Sequence, residues 1–290
     1  MTDAYEHLAP AARAVIDRPA AERIATMRSR KFLEYPRCRY VLDVMTEQLE
    51  RPRGSIKLNL LVWGESGQGK TTIVRKYLRD HPPVSERTAG VRRTPVIGIE
   101  MPPLCDIKWF YTDLLRAIDA PPRTGRSDLP LMAERIIHLY RLMDVRQIVI
   151  DESHNMLMGT VRQQRTMLAV IRHLSNTLEI PLVLFGTQDA REALLHDRQL
   201  ARRFRFIDLP TWAPGEEFDA LVGGVLRSLP LRRPSVLTAR AIKALAAHSQ
   251  GVTASVFETL VDLGVRAIQS EEERITATAV IGHTTLPAIA

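Results

Sequence analysis

Gly64-Glu65-Ser66-Gly67-Gln68-Gly69-Lys70-Thr71 is the stretch that decides the fold class. It has the spacing G-x4-G-K-T and lies between an apolar run, Leu58–Trp63, and a helix-like run, Thr72–Arg79. Strand, glycine loop and helix, in that order, form the local structure that grips a polyphosphate. Glycines at 64, 67 and 69 let the backbone turn its N–H groups inward, and the helix N-terminus adds partial positive charge. Lys70 is expected to reach the β- and γ-phosphates of ATP, and the Thr71 hydroxyl to ligate Mg²⁺. Glu65, Ser66, Gln68 and Thr72 complete the expected nucleotide loop.

Working outward, four more short apolar segments read as buried strands: Pro95–Met101, Gln147–Asp151, Leu182–Gly186 and Phe204–Leu209. Helical stretches separate them, which predicts an α/β domain with a five-stranded parallel sheet between helices. Residues 1–50 read as helical, with Ala20–Met27 and Tyr40–Leu49 carrying apolar positions three or four apart. Arg51-Pro52-Arg53-Gly54 breaks that pattern. Two Pro/Gly-rich segments, His81–Pro95 and Ala120–Pro130, read as loops. After Pro210 the pattern is helical again, over Pro214–Arg227, Thr238–His248 and Thr253–Gln269. The expected organisation is an N-terminal helical segment (1–54), a nucleotide-binding core (55–212) and a small helical lid with a C-terminal tail (213–290).

Composition narrows the function classes. The 290 residues are 45% apolar and 25% charged, which favours a folded soluble domain over a disordered or fibrous chain. No apolar run approaches the length of a membrane span, and the first ten residues lack the pattern of a secretory signal. A cytoplasmic protein is therefore expected, with Cys38 and Cys105 as buried reduced thiols and no membrane partner. Lys and Arg total 40 against 33 Asp and Glu, a net charge of +7. Residues 51–126 alone carry 14 basic and seven acidic side chains, whereas residues 251–290 carry two and five. A basic first half with an acidic end suggests a polyanion on one face, and equally fits a solvated basic surface.

Three further segments carry chemistry. Ile148-Val149-Ile150-Asp151-Glu152 ends an apolar strand in two carboxylates, at the sheet edge where open α/β sheets bind ligands. Asp151 is expected in the Mg²⁺ shell, and Glu152 as the base that polarises an attacking water. A glutamate directly after the aspartate points to hydrolysis rather than transfer to a small acceptor. Leu182–Gly186 leads into Thr187, which either senses the γ-phosphate or caps the helix that starts near Asp189. Gln199-Leu200-Ala201-Arg202-Arg203-Phe204-Arg205 offers three arginines in four positions. One of them could act on a neighbouring subunit's nucleotide, or all could be surface cations near a helix end.

The combination resembles the TniB/TnsC group of transposon AAA+ ATPases. The resemblance rests on GESGQGKT, IVIDE, LVLFGTQDA and the D-x-QLARRF segment. It also rests on Ala21-Glu22-Arg23-Ile24, Phe32-Leu33-Glu34-Tyr35-Pro36, Pro95–Pro102 and Lys108-Trp109-Phe110-Tyr111. It covers roughly residues 5–280. It implies an AAA+ P-loop core with a five-stranded parallel sheet and a helical lid. It implies an ATPase that forms rings or helical filaments, as a homo-oligomer, around double-stranded DNA. Such proteins link a TniQ-like target selector to a TniA/TnsB-like transposase, and hydrolysis removes the assembly; when DNA-bound they are nucleoid-associated. It supports Lys70, Thr71, Asp151, Glu152 and Thr187 in the roles above, and favours Arg203 over Arg202 as the trans-acting arginine. It places DNA contacts at Lys108, Arg123, Thr124 and Arg126, within the basic stretch. Two other readings share these motifs: a helicase-loader or initiator-type AAA+ ATPase, and a DNA-independent NTPase switch. One departure stands out. Where AAA+ lids place an arginine near the start of the last lid helix, this chain reads Gly251-Val252-Thr253-Ala254-Ser255-Val256-Phe257, and the next arginine is Arg266.

Overall fold

The computed structural model describes residues 5–29, 32–52, 58–85, 92–121, 128–196 and 201–284. By contact the chain divides into two units. One comprises Pro36–Glu65 and Lys70–Leu209; the other comprises Met1–Tyr35, Ser66–Gly69 and Pro210–Ala290.

The first unit is built on five parallel strands. In chain order these are β1 (Asn59–Trp63), β4 (Val96–Glu100), β5 (Gln147–Asp151), β6 (Leu182–Gly186) and β7 (Phe204–Asp208). Their order across the sheet is β4-β5-β6-β1-β7. The register sets Leu61 beside Leu184 and Phe206, and Ile150 beside Leu184 and Ile99. Every residue of β5 and β6 is buried, which is why both read as unbroken apolar runs rather than alternating ones. All five expected strands form. A two-residue antiparallel ribbon, β2 (Val84–Ser85) with β3 (Arg92–Arg93), lies within the expected loop His81–Pro95.

Helices cover this sheet: α3 (Pro36–Glu50), α4 (Lys70–Asp80), α5 (Ile107–Arg116), α6 (Leu129–Leu142), α7 (Val161–Leu178) and α8 (Gln188–His196). Their core faces join the strands in one cluster that includes Phe110, Leu114, Ile136, Tyr140, Met167 and Ile171. Two buried polar side chains lock it. Gln147 opens β5 fully buried; it accepts from the Tyr77 hydroxyl at 2.6 Å and donates to the Met45 carbonyl at 3.2 Å. This joins α3, α4 and β5 by two bonds. Asn59 opens β1 and accepts from Leu182 N at 3.0 Å and from the Ser175 hydroxyl at 3.1 Å. Cys38 and Cys105 are both buried free thiols, and burial pushes the Cys105 thiol up from its ordinary pKa.

The second unit is helical. It holds α1 (Pro10–Arg13) and α2 (Ala20–Arg28), then α9 (Glu216–Ser228), α10 (Ala239–Ser249), α11 (Thr253–Gln269) and α12 (Ala277–Thr284). Its core includes Met27, Trp212, Phe218, Val225, Leu245, Val256 and Leu260. Glu273 crosses from the turn after α11 to α2: its carboxylate accepts from the two terminal guanidinium nitrogens of Arg23, at 2.5 and 2.8 Å. The same arginine donates to the Pro230 carbonyl at 3.0 Å. α12 gives order to part of the C-terminal stretch whose sequence has little periodicity. Among the described residues, no helix is long and apolar enough to cross a membrane.

Candidate nucleotide site

The sheet order positions the chemistry. β6 lies between β1 and β5, so the residues after the three strands line up as the glycine loop, Thr187 and Asp151-Glu152 along one edge. Gly64 N donates to Gly186 O at 3.2 Å, which ties the loop's first residue to the end of β6. That edge is the carboxyl end of parallel strands, the ligand-binding edge of such sheets.

Lys70 opens α4 and is 7% exposed. Its ammonium donates to the carbonyls of Gly64 at 2.7 Å and Glu65 at 2.8 Å. Burial lowers its pKa, and the charges of Glu152, Asp151 and Glu65 oppose that shift. The loop turns at Gly67 and Gly69, at φ of 78° and 84°, the left-handed region that glycine enters without cost. Thr71 is half-buried in the first turn of α4, and Thr72 is exposed. Asp151 closes β5 at 5% exposure, and its Oδ1 accepts from Glu152 N at 2.9 Å. Glu152 itself is left-handed, at φ 50° and ψ 36°, and its Oε2 lies 3.3 Å from His154 Nε2. The Thr187 hydroxyl is buried and has no hydrogen-bond partner among the described residues. It therefore makes no capping bond to α8.

These groups suit a magnesium–nucleotide complex. A hydroxyl at Thr71 and one buried carboxylate at Asp151 form a sparse donor set, and Mg²⁺ usually combines one or two carboxylates with substrate phosphates and waters. No group of three or more His, Cys, Asp or Glu among the described residues could hold a metal by itself. The buried Lys70 ammonium supplies the matching positive charge.

Ser66–Gly69 groups with the helical unit. Gln68 is 2% exposed. Its amide donates to Gly251 O at 3.2 Å, and its side-chain oxygen accepts from Thr253 Oγ1 at 2.7 Å. Trp212 Nε1 donates to the same threonine hydroxyl at 2.8 Å. Ala254 N donates to Gly67 O at 2.9 Å, and the Tyr35 hydroxyl to Gln68 O at 3.4 Å. The sequence assigns Gln68 only a place in the loop and gives Thr253, Trp212 and His154 no role. The Glu-x-His spacing at 152–154 is the one readable signal among them.

The remaining candidates are dispersed. Arg202 and Arg203 are exposed in the turn before β7, where Arg203 bonds the Asn176 side chain. Lys108 is exposed in the first turn of α5, whose N-cap Asp106 accepts from Trp109 N at 2.8 Å. Arg123, Thr124 and Arg126 lie outside the described residues.

A family profile described as "Bacterial TniB protein" matches residues 23–214. The chain belongs to the TniB family. Solved structures resemble this TniB chain at low identity and share its AAA+ P-loop fold. The ORC2 protein of Aeropyrum pernix, in ADPNP and ADP complexes, gives a TM-score of 0.63 at 14% identity, covering 90% of this chain and 71% of its own. The ORC1 protein of Aeropyrum pernix, in complex with DNA, gives 0.61 at 18%, covering 89% and 68%. A Walker-type ATPase of Pyrococcus abyssi gives 0.58 at 15%, covering 89% and 75%. No curated protein matches the TniB chain.

Proposed function

We propose that this TniB chain is an ATP-hydrolysing, DNA-binding AAA+ regulator of transposition. It oligomerises on duplex target DNA, links a TniQ-like target selector to a TniA/TnsB-like transposase, and uses hydrolysis to disassemble. The observation that carries the reading is the alignment of Lys70, Thr187 and the Asp151–Glu152 pair along one sheet edge, in a chain that matches the TniB family.

In this reading Lys70 binds the β- and γ-phosphate oxygens, and Thr71 and Asp151 would hold Mg²⁺, which when bound would supply charge neutralisation for the phosphates. Glu152 takes a proton from water as the water oxygen bonds to the γ-phosphorus. The bond to the bridging oxygen breaks, leaving ADP and phosphate. The Thr187 hydroxyl bonds a γ-phosphate oxygen and registers its departure. Arg203, with Arg202 beside it, reaches a neighbouring subunit's nucleotide and makes turnover depend on assembly. Lys108, Arg123, Thr124 and Arg126 meet DNA phosphates, which favours binding without sequence preference.

Fluorescence anisotropy of labelled duplexes, run beside a phosphate-release assay, tests this reading. Duplexes of unrelated sequence are expected to bind equally well, and only with a triphosphate present. Binding that ignores the nucleotide, or no binding, favours a DNA-independent switch. A clear preference for single strands favours a helicase loader.

A further inference from the structure

Glu152 sits in an unusual setting. Its left-handed backbone, at φ 50°, turns the chain off the end of β5 and straight into a one-turn 3-10 helix, Ser153–Leu157. Few non-glycine residues adopt that conformation, and those held there by their surroundings cluster at functional sites. The turn brings the side chain two positions on back toward the glutamate. His154 Nε2 lies 3.3 Å from Glu152 Oε2, with the two side chains 27% and 33% exposed.

The chain beside the imidazole packs against β6. A methyl group placed on Gly186, at the end of β6, would lie 2.5 Å from Ser153 Oγ and 3.5 Å from His154 N. The Ser153 side chain thus packs closely onto the strand end that leads into Thr187, with His154 N in ordinary contact. The other ring nitrogen, His154 Nδ1, is buried without a hydrogen-bond partner among the described residues. A neutral imidazole has one donor nitrogen and one acceptor nitrogen. Beside a carboxylate the donor belongs on Nε2, which leaves Nδ1 as the acceptor.

We propose that His154 is a positioning residue for ATP hydrolysis: Nε2, 3.3 Å from Oε2 of Glu152, restrains that oxygen when the site is filled and so aims the other carboxylate oxygen at the attacking water. This rests on the reading of Glu152 as the base. A glutamate side chain has three rotatable bonds, and a misplaced base loses much of its rate advantage. Restraining one oxygen removes part of that freedom without touching the nucleotide. The role is therefore separable from binding.

The experiment compares His154→Ala, His154→Gln and Glu152→Gln in full-length protein. His154→Ala is expected to lower kcat about ten- to a hundredfold with KM and analogue affinity unchanged. His154→Gln, whose amide N–H reaches the former Nε2 position, is expected to recover most of the rate. Combining His154→Ala with Glu152→Gln should add no further loss. A readout free of nucleotide accompanies these: the ¹⁵N signals of the His154 ring should shift in Glu152→Gln. Unchanged kcat in His154→Ala, a KM that rises with the loss, or a glutamine variant no better than alanine overturns the proposal. If Glu152→Gln hydrolyses ATP normally, the reading of the base itself fails. If Glu152→Gln is inactive and His154→Ala is normal, only the role of His154 fails.

Discussion

Thr253 donates a 2.7 Å hydrogen bond to the side-chain oxygen of Gln68, 185 positions earlier, and both residues are buried. The bond ties the first residue of α11 to the middle of the glycine loop. It occupies the region where the family resemblance leads one to expect an arginine. At that place the chain has a neutral hydroxyl bonded to the loop. The hydroxyl also accepts from Trp212 Nε1, and Gln68 bonds Gly251 as well, so each side chain of the network has a partner.

Thr253→Val keeps the shape and removes both bonds at that hydroxyl. It leaves Trp212 Nε1 and Gln68 Oε1 buried without this partner, at a cost of about 2–4 kcal/mol. Denaturant unfolding should show that loss, and a fluorescent ATP analogue should bind more weakly because the loop is less constrained. Wild-type stability and affinity together would show that the network is dispensable.

Glu152→Gln is expected to leave nucleotide and DNA binding intact while removing turnover by about two to four orders of magnitude. The ATP-loaded, DNA-bound assembly should then persist, as followed by light scattering after dilution into unlabelled duplex. Dissociation as fast as wild type would contradict the role of hydrolysis in disassembly.

Lys108→Ala with Arg126→Ala should weaken duplex binding for all sequences alike. The slope of log affinity against log salt should flatten by about one to two units, since each phosphate left without its cation releases about one counterion fewer. An unchanged slope would remove both residues from the DNA path.

The buried Arg23–Glu273 pair gives the helical unit an acid-sensitive element. The Arg23 guanidinium holds the Glu273 carboxyl below the usual glutamate range. A carboxyl whose pKa is depressed on folding contributes stability that is fully present above its unfolded pKa of about 4.3 and is lost as pH falls through the lower folded value. Arg23→Ala should therefore flatten the decline in stability below about pH 4.3. At neutral pH it should cost about 3 kcal/mol, since it strands a largely buried carboxylate. Urea unfolding at several pH values checks both. An acid limb as steep as wild type would show that other carboxylates dominate it.

The five strands are legible in sequence because a parallel sheet covered on both faces selects short unbroken apolar runs, as at Leu182–Gly186. Their lateral order is not, since nothing local to Leu60 encodes its pairing with Val183. The helix Pro36–Glu50 shows its period but not its neighbour, which the Met45 carbonyl finds in Gln147. The nucleotide loop and the acidic strand end announce themselves by residue type and spacing. Thr253 does not: a threonine opening a helix reads as a local feature, and its partner lies far away in sequence. His154 is intermediate, because its spacing is visible but its approach to Glu152 depends on a left-handed backbone that sequence does not signal at a glutamate.

Electron microscopy of the purified protein with a slowly hydrolysed ATP analogue, with and without duplex DNA, tests the proposed function most directly. Rings or helical filaments that require both ligands, with Arg202 or Arg203 set against the neighbouring subunit's nucleotide, are the predicted result. Particles that remain monomeric with both ligands present would contradict assembly on DNA.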